Sequence, residues 1–169
     1  MTRTSQLRAL GAVAIIAGGI WAWQTWWPGD ERAIRGRLDA LAAVVNEPAA
    51  EGLGTVARAA EIGSYFTQDV VVDLGRGSAP IQGRETLIGL AARLPPGTAA
   101  YTLEFDDVSV DVAPEGGVAD VRCAATFTRR NESTGERSID ARELQLGMTK
   151  SDGHWRIARV TAVDTLRRE

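Results

Sequence analysis

Charge disappears from the sequence between Ala9 and Gly29, and from Ala9 to Trp27 nearly every residue is apolar. At about 1.5 Å per residue, a helix over that stretch covers roughly 28 Å, close to the hydrocarbon thickness of a bilayer. The pattern predicts a transmembrane anchor over residues 9–28. A short basic tail (residues 1–8, with Arg3 and Arg8) precedes it, and Pro28-Gly29-Asp30 ends it. Beyond the anchor the apolar spacing changes. Ile34, Leu38, Leu41 and Val45 recur at three- and four-residue intervals, which predicts a helix from Asp30, acting as its N-cap, to about Asn46. Glu47-Pro48 stops it. A second helical stretch places Leu53, Val56, Ala60 and Ile62 inward. Within it, Gly52-Leu53-Gly54-Thr55-Val56-Ala57 imitates a dinucleotide fingerprint, but the strand that such a motif requires does not precede it.

From Val70 the pattern becomes one of strands. Val70-Val71-Val72-Asp73 reads as a short strand and Gly75-Arg76-Gly77-Ser78 as a turn-rich loop. Gly83-Arg84-Glu85 then opens a helix that reaches Leu94 before Pro95-Pro96-Gly97. Four long strands follow. In the first, Tyr101 to Val112, the residues Tyr101, Leu103 and Phe105 share one parity and Val108, Val110 and Val112 the other. The switch at Asp106-Asp107 predicts a β-bulge. The second alternates Val121, Cys123, Ala125 and Phe127 against Asp120, Arg122, Thr126 and Thr128. A polar loop leads into the third, about Ser138 to Lys150, and Ser151-Asp152-Gly153 turns into the fourth, His154 to Asp164. Helices first and a long meander last predict an α+β domain over residues 30–166, with helices on one face of a curved antiparallel sheet.

Composition narrows the classes of partner. The net charge is −3, and every acidic residue lies at or beyond Asp30, so the folded part is more acidic than the whole chain. That argues against nucleic acid, whose phosphates need a basic face. Basic residues are almost all Arg, which with the Ala and Gly content suggests a GC-rich bacterial genome. The single cysteine, Cys123, lies on an apolar face and reads as a buried small hydrophobe. His154, the single histidine, sits beside a glycine turn. No Cys or His pairs exist for zinc, so neither a metal nor a cofactor is expected.

Four of the five tryptophans, Trp21, Trp23, Trp26 and Trp27, crowd the end of the anchor, where an indole can bury its ring and keep its N–H wet. A cleavable signal peptide is the rival reading, with Ala17-Gly18-Gly19 as the cleavage region; the apolar run continues past those residues into the tryptophans. Gly11, Ala14, Gly18 and Ala22 form a stripe of small residues that would let a helix of another subunit approach closely. The purely basic tail places the N-terminus in the cytoplasm and the domain in the periplasm, across the inner membrane of a bacterium.

The order of elements and their local wording resemble the nuclear transport factor 2-like superfamily, the polyketide-cyclase-like branch especially. Tyr65-Phe66-Thr67-Gln68-Asp69-Val70-Val71-Val72-Asp73 is similar to that family's helix-to-strand junction, Gly83-Arg84-Glu85-Thr86-Leu87-Ile88 to a helix start, and Gly153-His154-Trp155-Arg156-Ile157-Ala158 to its final strand. The resemblance implies a cone-shaped sheet around about three helices. It also implies a pocket carboxylate near the first strand, for which Asp73 is the nearest candidate, although alignment of Gly77-Ser78-Ala79-Pro80 puts the base position on Leu74. Asp140 with Arg142 imitates the carboxylate–arginine pairing of the family's epoxide hydrolases, and Tyr65 or Tyr101 could donate a hydrogen bond to a small apolar ligand in the cone.

Two expectations follow. One is a non-catalytic accessory or scaffolding subunit of an integral-membrane complex, such as a photosynthetic or respiratory one. The other is a membrane-tethered enzyme or small-molecule carrier.

Overall fold

The computed structural model describes residues 29–47, 52–75, 77–93, 99–131 and 134–163. Residues 9–28, with the small-residue stripe and the tryptophan belt, lie outside that set. Among the described residues no helix is long and apolar enough to cross a membrane.

The expected first helix, α1, spans residues 29–46 and buries Ile34, Leu38, Leu41 and Val44. Val44 takes the place expected for Val45, which is half-buried. Three or four steps from Leu41 both stay near the apolar stripe, and the sheet sits on the Val44 side. Asp30 is not an N-cap. It is itself helical, and its carboxylate accepts from Lys150 Nζ at 2.7 Å and from the Trp155 indole Nε1 at 3.2 Å. A cationic donor 120 residues away thus takes the oxygen that would have met the helix's own N–H groups. At the other end, Arg58 donates from Nε to the Val44 carbonyl at 3.1 Å and from a terminal nitrogen to the Val45 carbonyl. A cation on the last carbonyls of a helix both satisfies them and opposes the negative end of its dipole.

Helix α2 (Leu53–Gly63) supplies the cap arginine, but its inward face differs from the expected one. Leu53 is 88% and Val56 58% exposed, Ala60 is exposed, and the buried positions are Ala59 and Gly63, with Ile62 half-buried. The reason is close approach to α3 (Arg84–Ala91): a Cβ on Gly63 would come within 2.5 Å of Ile88. A helix held that near its neighbour buries its smallest side chains, and hydrophobicity then misreports the inner face.

The strands are β1 (Phe66–Asp73), β2 (Ile81–Gln82), β3 (Ala99–Val112), β4 (Val118–Asn131), β5 (Arg137–Ser151) and β6 (His154–Ala162). They form one sheet in the order β2-β1-β6-β5-β4-β3. Every pairing is antiparallel except β1 with β6, which is parallel, so the sheet is mixed where an antiparallel one was expected. The bulge falls where the parity switch put it. The β3–β4 register shifts between Asp106 and Ser109, and Asp107 has φ 52°. A second irregularity lies between Gly147 and Met148 against β6. Each bulge sharpens strand twist, which helps the sheet curve around α1.

Directly opposed residues share a face. Val121↔Leu146, Cys123↔Leu144, Leu146↔Val160 and Val72↔Val160 therefore define one inner surface. It packs on α1 to form the core, with Tyr65, Val70, Met148, Trp155 and Ile157.

Asp30 gives a direct test of how α1 is held. The Lys150 hydrogen bond first, then the indole and the Lys150 charge, pull its carboxyl below the usual 3.8, against the upward push of burial. A folded-state value below the unfolded one contributes stability that is present above the unfolded pKa and is lost as pH falls through the folded one. Asp30→Asn keeps an acceptor for the indole and removes the charge. The expected loss is about 0.5–1 kcal/mol at neutral pH. The gap between the two proteins should close as pH drops below 3.8. Urea midpoints measured across that range would check it; a gap that persists in acid would mean the ion pair is not its source.

Candidate functional site

The inner face of the sheet packs against α1 through the core and becomes exposed toward one end, its mouth. Cross-strand pairing places Leu103 opposite Phe127, Tyr101 opposite Arg129, Phe127 opposite Asp140, and Ala125 opposite Arg142. These residues continue the surface that, further along, buries Val121 and Leu146. The alternation that produces the core thus carries Asp140 and Arg142 to the rim of the same face, because each lies an even number of residues from Leu144. The side chains of Tyr101 and Phe127 stack there, with ring centroids 5.6 Å apart. Arg142 Nε lies 3.1 Å from both Asp140 oxygens, and its Nη1 donates to the Leu74 carbonyl at 2.8 Å. The guanidinium therefore ties β5 to the end of β1. Both members of the ion pair are about half exposed.

Asn46, the last residue of α1, closes this end from the side. Its amide donates to the Leu103 carbonyl at 3.0 Å and accepts from the Leu103 N–H at 2.6 Å. It occupies the outer edge of β3 as a neighbouring strand would, blunting an exposed edge.

Of the residues singled out in the sequence, Asp140, Arg142 and Tyr101 come together at this mouth. Asp73 does not join them. Its register partner is Thr161, which pairs with Gln145, and these belong to the outer face. Its carboxylate accepts from the Gly75 N–H at 2.9 Å, shaping the loop. The base position expected on Leu74 is occupied by that partly exposed leucine. Tyr65 is buried in the core, with the Arg37 guanidinium 3.9 Å above its ring. His154 is exposed and its Nδ1 lies 2.8 Å from the Asp152 carbonyl in the turn. Cys123 is buried, and burial pushes its thiol up to about 11, which suits a packing role. No cluster of three or more potential metal ligands occurs among the described residues.

Sequence reasoning missed the Asp30–Lys150–Trp155 clamp and the Asn46–Leu103 bracket. The sole lysine and the first acidic residue of the chain were faint signals for the former; the latter left none.

A curved mixed sheet wrapped on a long helix, with an open rim bearing aromatic and charged side chains, defines a cone-shaped α+β class. Within it the family is specific: residues 30–161 match the model for the SnoaL-like domain, and the chain belongs to that family. Among solved structures, a nuclear transport factor 2-like protein with a cystatin-like fold from Novosphingobium aromaticivorans is 15% identical, with TM-score 0.68 over 87% of this chain and 90% of that one. A provisionally named scytalone dehydratase from the same organism is 17% identical, with TM-score 0.64 over 79% and 82%. A provisionally named calcium/calmodulin-dependent protein kinase II association domain from Xanthomonas campestris is 15% identical, with TM-score 0.61 over 81% and 89%. No curated protein matches. At these identities the likeness is one of fold, and the names span an enzyme and an association domain, so fold alone does not select a chemistry.

Proposed function

We propose that this chain is a bilayer-tethered SnoaL-like domain acting as a non-catalytic accessory subunit of an integral-membrane assembly, with its domain on the periplasmic side of a bacterial inner membrane. Lipid and the transmembrane helices of other subunits are its partners, through the Gly11, Ala14, Gly18 and Ala22 stripe. The observation that carries the non-catalytic part is the content of the inner face. Apolar side chains pack it under α1, no buried polar or charged residue occurs among the described residues, and the position that the family resemblance assigns to the base holds Leu74. The carboxylate beside it, Asp73, is turned to the outer face and spent on a loop hydrogen bond. A general base has to reach the proton that it takes. The membrane part rests on the apolar run and its tryptophans.

A second reading, a small-molecule binder or enzyme, draws on the mouth, where Asp140 and Arg142 stand beside the Tyr101–Phe127 stack. The two readings separate on one preparation. Full-length protein extracted in mild detergent should carry a fixed ratio of another membrane-spanning protein, and Arg142→Ala should leave that ratio unchanged. A chain that elutes alone, with a small apolar molecule retained by the native protein and lost from Arg142→Ala, would establish the second reading instead.

A further inference from the structure

Three contacts fix how α1 lies along the sheet. Asp30 is held by Lys150 and Trp155, next to the β5–β6 turn. Arg37, about two turns on, donates to the Ser64 carbonyl at 3.0 Å, beside Tyr65, whose own carbonyl accepts from Ile157. Asn46 brackets Leu103, which is opposite Phe127 and next to the mouth. The Lys150 N–H also donates to the Gly117 carbonyl at 2.8 Å, so the 113–117 and 151–153 turns lie together at the Asp30 end of α1. From Asp30 to Asn46 the helix rises about 24 Å. Trp27, the last residue of the apolar run, precedes Asp30 by three residues, which reach at most about 11 Å even when fully extended.

Resting on the anchor reading above, we infer that the domain stands end-on at the bilayer, its 113–117 and 151–153 turns toward the headgroups and its mouth turned away, so that any occupant of the mouth arrives from the aqueous phase and not from the lipid. The clamp is what makes the short junction informative, because it binds the residue nearest the anchor to the turn end of the sheet. The surfaces agree. Glu115, Asp152 and His154 are exposed at the near end, with Val118 the large apolar side chain exposed beside them. Tipping the sheet onto its outer face would press exposed Arg122, Glu143 and Gln145 against lipid, at a desolvation cost.

Single-cysteine labelling tests this in the full-length protein. Glu115→Cys and Ile139→Cys place probes at exposed positions at the two ends, and buried Cys123 stays unlabelled. Each labelled chain is reconstituted into phosphatidylcholine vesicles containing a nitroxide-headgroup lipid. Quenching several-fold stronger at position 115 than at 139 is expected, and the difference should shrink when Asp30→Ala and Lys150→Ala are combined. Equal or reversed quenching in vesicle-bound protein overturns the orientation while the anchor stands. Protein that an alkaline wash strips from the vesicles overturns the anchor reading, and the orientation with it.

Discussion

Leu38→Ala should lower the unfolding free energy by about 2–5 kcal/mol, whereas Leu53→Ala should change it by no more than about 0.5 kcal/mol. The chemistry of the two substitutions is the same; the surroundings differ. Leu38 is 1% exposed on the inner stripe of α1, in the cluster that includes Val121, Leu146 and Met148. Truncating it removes buried methyl groups and leaves a cavity that the sheet cannot collapse into, because bulged long strands hold that surface in place. Leu53 is 88% exposed at the start of α2 and loses little when shortened. Against a typical total of about 5–15 kcal/mol, the first change is a large fraction of what holds a domain folded. Urea unfolding of the full-length protein, followed by far-ultraviolet circular dichroism, measures both. A Leu53 variant as unstable as the Leu38 variant would place α2 with its expected face inward after all.

That contrast marks where the sequence is readable. Long elements with one buried face announce themselves: the stripe of α1, the alternation of β4 and the parity switch that locates the β3 bulge are all local patterns with a direct physical cause. Helix α2 misleads because it is short and alanine-rich, and because its inner face is chosen by the room that Ile88 needs, a fact held on another helix. The parallel β1–β6 pairing joins segments some ninety residues apart, as Phe66↔Ile157 shows. No local periodicity encodes such a choice. The same division holds at the mouth. Strand parity brings Asp140 and Arg142 to one face from sequence alone, and the one-residue offset between Asp73 and Leu74 already points the carboxylate outward. The anchoring of Arg142 to the Leu74 carbonyl and the bracket on Leu103 need the fold before they can be seen.

The other large effect concerns the segment ahead of α1. Under the proposed function, deleting residues 1–28 moves the protein from the membrane pellet to the soluble fraction without unfolding it, since every described core residue, from Ile34 onward, is retained. Gly18→Ile separates the two roles assigned to that segment. Isoleucine is more favourable in hydrocarbon than glycine, so membrane retention should hold or rise. The same side chain fills the small-residue groove and keeps a partner helix at a distance. Forcing a larger side chain into a close-packed contact costs about 1–3 kcal/mol, so association should weaken roughly 5- to 150-fold. Membrane fractionation reads the first quantity, and the partner-to-subunit ratio in detergent reads the second. A Gly18→Ile chain that keeps its partner at the native ratio removes the groove from the account while leaving the anchor in it. A deletion variant that still sediments with membranes removes the anchor itself.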